Sequence, residues 1–286
     1  MSVVLILTPA TGDEAYRGRW RDVLEENAKP LRRAGIAVES ASWTDAGDIG
    51  RFDLVMPLLV WGYHRQLGDW LAQVRTWEAI GAPIQNQPSV LSWNSSKTYL
   101  GRLTERGAPV VPTRYVEAIC RDVLAQAAEA FGTKRVVSKP LASSTAWQTI
   151  RWPDDPIEHG PAGAAMIQPY LPSIESAGEV SLLYFGGRFS HAIRKVPQPG
   201  EFRVQPEYEG IISRHSPAAD ELDAAASILA AVDEDLLYAR VDLVRGIDGT
   251  PALIELELIE PDLYLGYDPA GGEAFAEAVI SAAGQV

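Results

Sequence analysis

The run Val3-Val4-Leu5-Ile6-Leu7 is apolar and rich in β-branched residues, and it stops at Pro9 and Gly12, so it predicts a buried strand. Apolar side chains then recur at helical spacing over residues 17–33, and Gly35 closes that helix. Strand patterns return at 36–43, 52–60 and 83–87, with a helical stretch over 67–80 between the last two. This alternation predicts a parallel sheet covered by helices, over residues 1–92. Further on the pattern changes. Helices are expected at 91–106 and 119–131, a crossing segment at 110–116, and strands at 135–141 and 145–152 around a serine-rich turn. Residues 179–185 and 188–196 read as strands joined at Gly186-Gly187, where glycine supplies the positive φ of a tight hairpin turn. A second hairpin spans 238–245 and 250–258 across Gly246-Ile247-Asp248-Gly249, with helices expected at 217–232 and 272–283.

A chain of 286 residues with 47% apolar and 22% charged side chains buries sizeable cores and is neither disordered nor fibrous. Its net charge of −13 is unevenly spread: residues 1–95 carry −2, 96–170 carry +2, and 171–286 carry −13. Such an excess repels phosphate backbones and anionic membranes, so neither nucleic acid nor a membrane is an expected partner. No basic segment precedes the first apolar run, and no apolar run approaches the roughly 18 residues of a membrane span. The single cysteine, Cys120, read as a small helix residue, excludes a disulfide framework and a multi-thiolate metal site. A cytoplasmic protein is the expectation.

The second hairpin carries the most chemistry. With an even loop, facing residues have an odd sum, which puts Arg240 and Asp242 on one sheet face with Leu253, Glu255 and Glu257. Three converging carboxylates with no sulfur or imidazole nearby suit magnesium or manganese. A three-residue loop would reverse the parity. Only five lysines face 20 arginines, which draws attention to Lys97 at the start of a helical stretch and to Lys139 inside the apolar strand Val136-Val137-Ser138-Lys139-Pro140. An ammonium inside such a strand needs an anion. GxxxxGK[ST], GxGxxG, GxSxG and HExxH are all absent, and the four histidines show no metal-ligand spacing.

Taken in order, Lys97, Val-Val-Ser-Lys139-Pro, Ile167-Gln168-Pro169-Tyr170-Leu171, Gly178-Glu179-Val180-Ser181, Phe202-Arg203-Val204-Gln205, Asp242 and Glu255-Leu256-Glu257-Leu258-Ile259-Glu260-Pro261 resemble the ATP-grasp superfamily. The resemblance is nearest to its glutathione-synthetase-like and RimK-like carboxylate-amine ligases. It implies a parallel α/β pre-ATP-grasp domain (1–92) followed by an ATP-grasp domain of two α+β subdomains. These are a lid subdomain (93–170) and a C-terminal subdomain holding the metal site (171–286). The resemblance gives Lys97 and Lys139 the ATP phosphates, Gln168, Tyr170 and Leu171 the adenine, and Glu179 the ribose hydroxyls. Asp242, Glu255 and Glu257 would hold one or two Mg2+ (or Mn2+) ions, with Glu257 standing where the family commonly has asparagine. Arg203, with Lys195 and Arg194 beside it, would stabilise the transferring phosphoryl group. The loop 141–147 departs from the glycine-rich phosphate loop of many members, leaving Ser143 and Ser144 as phosphate contacts.

The implied activity is ATP-dependent amide formation on a small amino-acid-like substrate through an acylphosphate, releasing ADP and phosphate, with ring closure within one molecule included. Two alternatives stay open: a nucleotide-binding module without turnover, and a ligase acting on the tail of another protein. The amino-terminal domain contributes to substrate recognition in this superfamily. Trp61, Tyr63 and His64 follow a buried strand at the end where α/β proteins hold ligands. The partner is then a small molecule bearing a carboxylate and an amine, with a homodimer as a further option.

Overall fold

The computed structural model describes residues 2–16, 18–198 and 210–284. Strands β1 (Val3–Thr8), β2 (Ala37–Ser42) and β3 (Leu54–Met56) form a parallel sheet in the order β2-β1-β3. The apolar run of β1 has no alternation because both of its faces are covered. Val4 and Ile6 pack in the core shared with α1 (Arg19–Arg33), and Leu5 and Leu7 pack with Trp43 and with Trp70, Val74 and Trp77 of α2 (Leu67–Ala79). The strand expected at 83–87 shrinks to a single bridge between Val55 and Ile84. Pro83 and Pro88 bracket it, and Asn86 is drawn out of sheet pairing into bonds with the backbone of residues 237, 238 and 258.

The single helix expected over 91–106 is two, α3 (Pro88–Asn94) and α4 (Tyr99–Glu105). Between them the Lys97 amide donates to the Leu141 carbonyl at 2.7 Å, which pulls this turn out of the helical ladder. β4 (Arg114–Val116), β5 (Val136–Pro140), β6 (Ile150–Trp152) and β7 (Ala165–Pro169) form an antiparallel sheet in the order β4-β7-β5-β6. Its outer face is backed by α5 (Arg121–Ala130). Cys120 sits exposed at the start of that helix, not within it.

A one-turn helix, α6 (Ser173–Ser176), leads into the third sheet, built from β8 (Glu179–Phe185), β9 (Arg188–Val196), β10 (Ile211–His215), β11 (Tyr238–Arg245) and β12 (Pro251–Glu257). It is antiparallel in the order β10-β9-β8-β11-β12. One face packs on α7 (Ala219–Ala230) and also on Val90, Tyr99, Leu100 and Leu103 of α3 and α4. The segment 93–170 is therefore divided in packing: α4 belongs to the five-stranded core, while the four-stranded sheet with α5 forms its own layer. The last helix, α8 (Glu273–Ala283), returns to join the core of β1, β3 and α1. The fold is a parallel α/β unit followed by two antiparallel α+β units. No helix among the described residues is long and apolar enough to cross a membrane.

Candidate active site

Strand alternation decides which side chains meet between the two antiparallel sheets. Glu179 and Ser181 of β8, Lys195 of β9, Arg240, Asp242 and Val244 of β11, and Glu255 and Glu257 of β12 share one face. Val137 and Lys139 of β5 and Gln168 of β7 face them from the four-stranded sheet across an open cleft. The cleft is open to solvent and is lined by residues of the amino-terminal unit and of both antiparallel sheets.

The hairpin reaches the expected face by an unexpected route. Its strands begin with the pair Arg245–Pro251, so the turn has an odd number of residues and Leu243 faces Leu253. A β-bulge at Ile254 then shifts the register by one, giving Asp242–Glu255 and Arg240–Glu257. Leu253 is consequently on the opposite face, packed with Leu243 and not with the acids.

One oxygen each of Asp242, Glu255 and Glu257 can lie within 4.8 Å of the others. Asp242 Oδ1 accepts from Ser181 Oγ at 2.5 Å, and Arg240 binds the same carboxylate through Nε and Nη2 at 3.0 and 2.9 Å. Arg240 Nη2 also pairs with Glu257, and Lys97 Nζ pairs with Glu255. Lys195 Nζ donates to Glu179 Oε1 at 2.6 Å and lies 3.6 Å from Asp242 Oδ2. Burial alone would raise every one of these carboxylates. Arg240 and Lys195 outweigh it at Asp242, and Lys97 with Lys139 outweigh it at Glu255, so both sit below the usual range. At Glu257 burial wins and its carboxyl is pushed up to about 8, while Glu179 is also raised despite Lys195. Converging hard oxygens already held by cations fit a divalent metal, since the arrangement needs positive charge at its centre.

Lys139 has no ion pair or hydrogen bond among the described residues, and burial lowers its ammonium. It is a cation facing an open cleft with no anion bonded to it. Next to it, Val111, Leu171, Ile174, Val244 and Ile254 make an apolar slot. Gln168 lines the cleft with its side chain committed to Thr113 Oγ1 at 3.0 Å, and the Tyr170 hydroxyl donates to Glu175. Ser143 and Ser144 form part of the lining, followed by Thr145, Ala146 and Gln148 at φ of 51°, 55° and 51°, a left-handed stretch unusual for residues with a Cβ. Gly178, at φ 78°, admits the Lys195 carbonyl where any Cβ would collide with it, and so brings Lys195 against Glu179.

The amino-terminal unit closes one end of the cleft with Trp61, Tyr63, Tyr16 and Arg19. His64 does not line it. Its ring lies 6.1 Å from that of Tyr63 and 5.9 Å from that of Trp147, the residue that follows the serine loop. Arg194 alternates to the far face of β9 and is exposed there, so the role expected beside Lys195 has no geometric support. Arg203 lies outside the described residues. Sequence reasoning left Arg240 without a role, although parity put it on the acidic face, and it overlooked Glu260, Asn86 and Asn94. Asn94 Nδ2 donates to the Leu256 carbonyl at 2.9 Å and its Oδ1 accepts from the Leu258 amide at 3.1 Å, clamping the acidic strand. No periodicity marks such a residue.

A family profile described as the N-terminal domain of D-cycloserine synthetase DcsG matches residues 4–86. Over 272 residues the chain is 32% identical to the cycloserine biosynthesis protein DcsG of Streptomyces lavendulae, covering 87% of this chain and 89% of that one. The chain belongs to the ATP-grasp ligases. The crystal structure of D-cycloserine synthetase DcsG superposes on the ligase with a TM-score of 0.81 at 27% identity, covering 99% of this chain and 100% of that one. The structure of the ATP-grasp ligase PsnB complexed with minimal precursor, Mg and ADP matches in fold, with a TM-score of 0.66 at 18% identity over 98% and 97% of the two chains. The ligase is thus an ATP-dependent, amide-forming enzyme, as the order of its motifs implies.

Proposed function

We propose that this ligase closes a ring within one amino-acid substrate, joining its carboxylate to an amine on its own side chain. The observation that carries the reading is the single cleft in which Lys97, Lys139, Lys195 and Arg240 face Glu179, Asp242, Glu255 and Glu257. The D-cycloserine named for the related synthetase supports the substrate class. Opening the amide of that ring gives O-amino-D-serine, a carboxylate and an aminooxy group in one small molecule.

The chemistry balances in two steps. A carboxylate oxygen of the substrate takes the γ-phosphoryl group of ATP, giving an acylphosphate and ADP. The aminooxy nitrogen then attacks the acyl carbon, the C–O bond to phosphate breaks, and one proton leaves with ring closure. Lys139 and Lys97 hold the phosphate chain, and positive charge there matters most as charge spreads in the transition state. Val111, Leu171 and Ile254 sandwich the adenine, with Gln168, Tyr170 and Leu171 offering backbone groups, and Glu179 accepts from the ribose. Asp242, Glu255 and Glu257 hold the Mg2+, which when bound offsets the charge of the phosphates. Ser143 and Ser144 cover the phosphates and exclude water from the acylphosphate.

ADP release is measured with ATP, Mg2+ and either O-amino-D-serine or pairs of separate amino acids. ADP and a product lighter than the substrate by one water are expected with O-amino-D-serine alone. ADP release only with a pair of amino acids would replace ring closure by an intermolecular ligation.

A further inference from the structure

Glu260 follows β12 by three residues and lines the cleft between two groups of side chains. Its charge interacts with those of Glu257 and Glu255 and acts on Tyr63, a residue of the amino-terminal unit. Its Oε2 is buried and has no hydrogen-bond partner, alone among the carboxylates of the cleft lining. An unpartnered buried acceptor is costly, and this one belongs to a residue that lines the cleft.

We infer that Glu260 binds the spectator α-ammonium of the substrate, the amine that is not joined. This rests on the ring-closure reading and adds a recognition residue to it. The reasoning is one of connectivity. The α-carbon carries both the reacting carboxylate and the α-ammonium, so the acceptor for the ammonium has to lie beside the metal carboxylates without belonging to them. Glu260 meets that condition, three residues beyond Glu257 and lining the same cleft as Trp61 and Tyr63. The joined nitrogen is the wrong partner for it. That nitrogen attacks through its lone pair and must arrive neutral, whereas a carboxylate would hold it protonated. An aminooxy group is weakly basic and already neutral near pH 7, which leaves the α-ammonium as the cation needing an anion. Burial raises the Glu260 carboxyl well above its usual value, and an arriving ammonium would favour its charged form. Arg240 and Lys97 also face this carboxyl and favour its charged form.

The test compares Glu260→Gln with the wild type on O-amino-D-serine and on aminooxypropanoate, the same molecule without the α-amine. Loss of a charge-assisted bond should raise KM for the amine-bearing substrate on the order of 10- to 100-fold. The KM for aminooxypropanoate should be unchanged, as should the ATP-induced rise in melting temperature. Equal losses on both substrates, or no loss on either, would overturn the assignment. Failure of the ring-closure reading registers separately, in the wild type, as ADP release with paired amino acids only. In that case the comparison is made on the carboxylate member of the pair and its deamino analogue, with the same criteria.

Discussion

Asn86 ties the parallel sheet to the strands that carry the metal-site carboxylates, and Asn86→Ala should cut that tie. The side chain is fully buried. Its Nδ2 donates to the carbonyls of Tyr238 and Leu258 at 2.9 and 2.8 Å, and its Oδ1 accepts from the Leu237 amide at 2.8 Å. Truncation strands two carbonyls and one amide in a dry interior. With about 1–3 kcal/mol for each buried group left unpaired, and water entering the vacated space to satisfy part of the loss, the net cost is about 3–5 kcal/mol. In a chain of this size that lowers Tm on the order of 6–20 °C. Guanidinium unfolding followed by tryptophan fluorescence reads it directly, because Trp43, Trp70 and Trp77 sit in the adjoining core. The midpoint should fall with the slope unchanged. Asn86→Asp keeps an acceptor for Leu237 but replaces Nδ2, the donor to both carbonyls, by an oxygen facing them, so it should destabilise at least as much as Ala. A loss below about 1 kcal/mol for both variants would refute the reasoning, since it would mean the three bonds contribute no more than a surface contact.

Glu255→Gln removes a ligand and frees Lys97, and the Mg2+ concentration for half-maximal ADP release should rise by about tenfold or more; an unaltered titration would count against the carboxylate cluster. Lys139→Met should raise the KM for ATP by about tenfold or more while leaving Tm of the free protein unchanged or higher, because it deletes a desolvated ammonium without a bonded partner. A drop in Tm would mean that the cation already has a stabilising partner without ATP. His64 is lowered to about 4 by burial, with Arg65 and Lys97 adding to the effect. Its folded pKa lies below the unfolded value of 6.5, so the unfolded state binds the extra proton between those limits. The His64 contribution to stability is therefore whole above pH 6.5 and is lost as pH falls towards 4. His64→Gln should flatten that part of the stability profile, measured as Tm against pH; parallel profiles would refute it.

Much of this was legible because it rests on short-range pattern. β1, β8, β9, β11 and β12 announce themselves through apolar runs and glycine turns, and the order of Lys97, Lys139, Glu179, Asp242 and Glu255 follows from the chain alone. What escaped the sequence depends on tertiary bonds. The break between α3 and α4 comes from a carbonyl 44 residues away, Leu141 accepting from Lys97. β7 is buried throughout and shows no alternation to distinguish it from a helix fragment. Arg194 and Lys195 are neighbours in sequence, yet the pleat sends one to solvent and the other to Glu179. Arg240 and Glu260 carry no motif of their own; only the company of the metal carboxylates and of Tyr63 gives them meaning.

The bulge at Ile254 has a consequence for anyone altering this hairpin. It separates the length of the turn from the orientation of the acids by a single inserted residue. A two-residue turn placed between the same pair, Arg245 and Pro251, leaves every later pair in register, so Glu255 and Glu257 stay on the face of Asp242. Deleting Ile254 keeps Leu243 opposite Leu253 and Asp242 opposite Glu255 in an unbroken ladder. The side the acids face is thus set by which residues pair, and the turn can be rebuilt without touching the metal site.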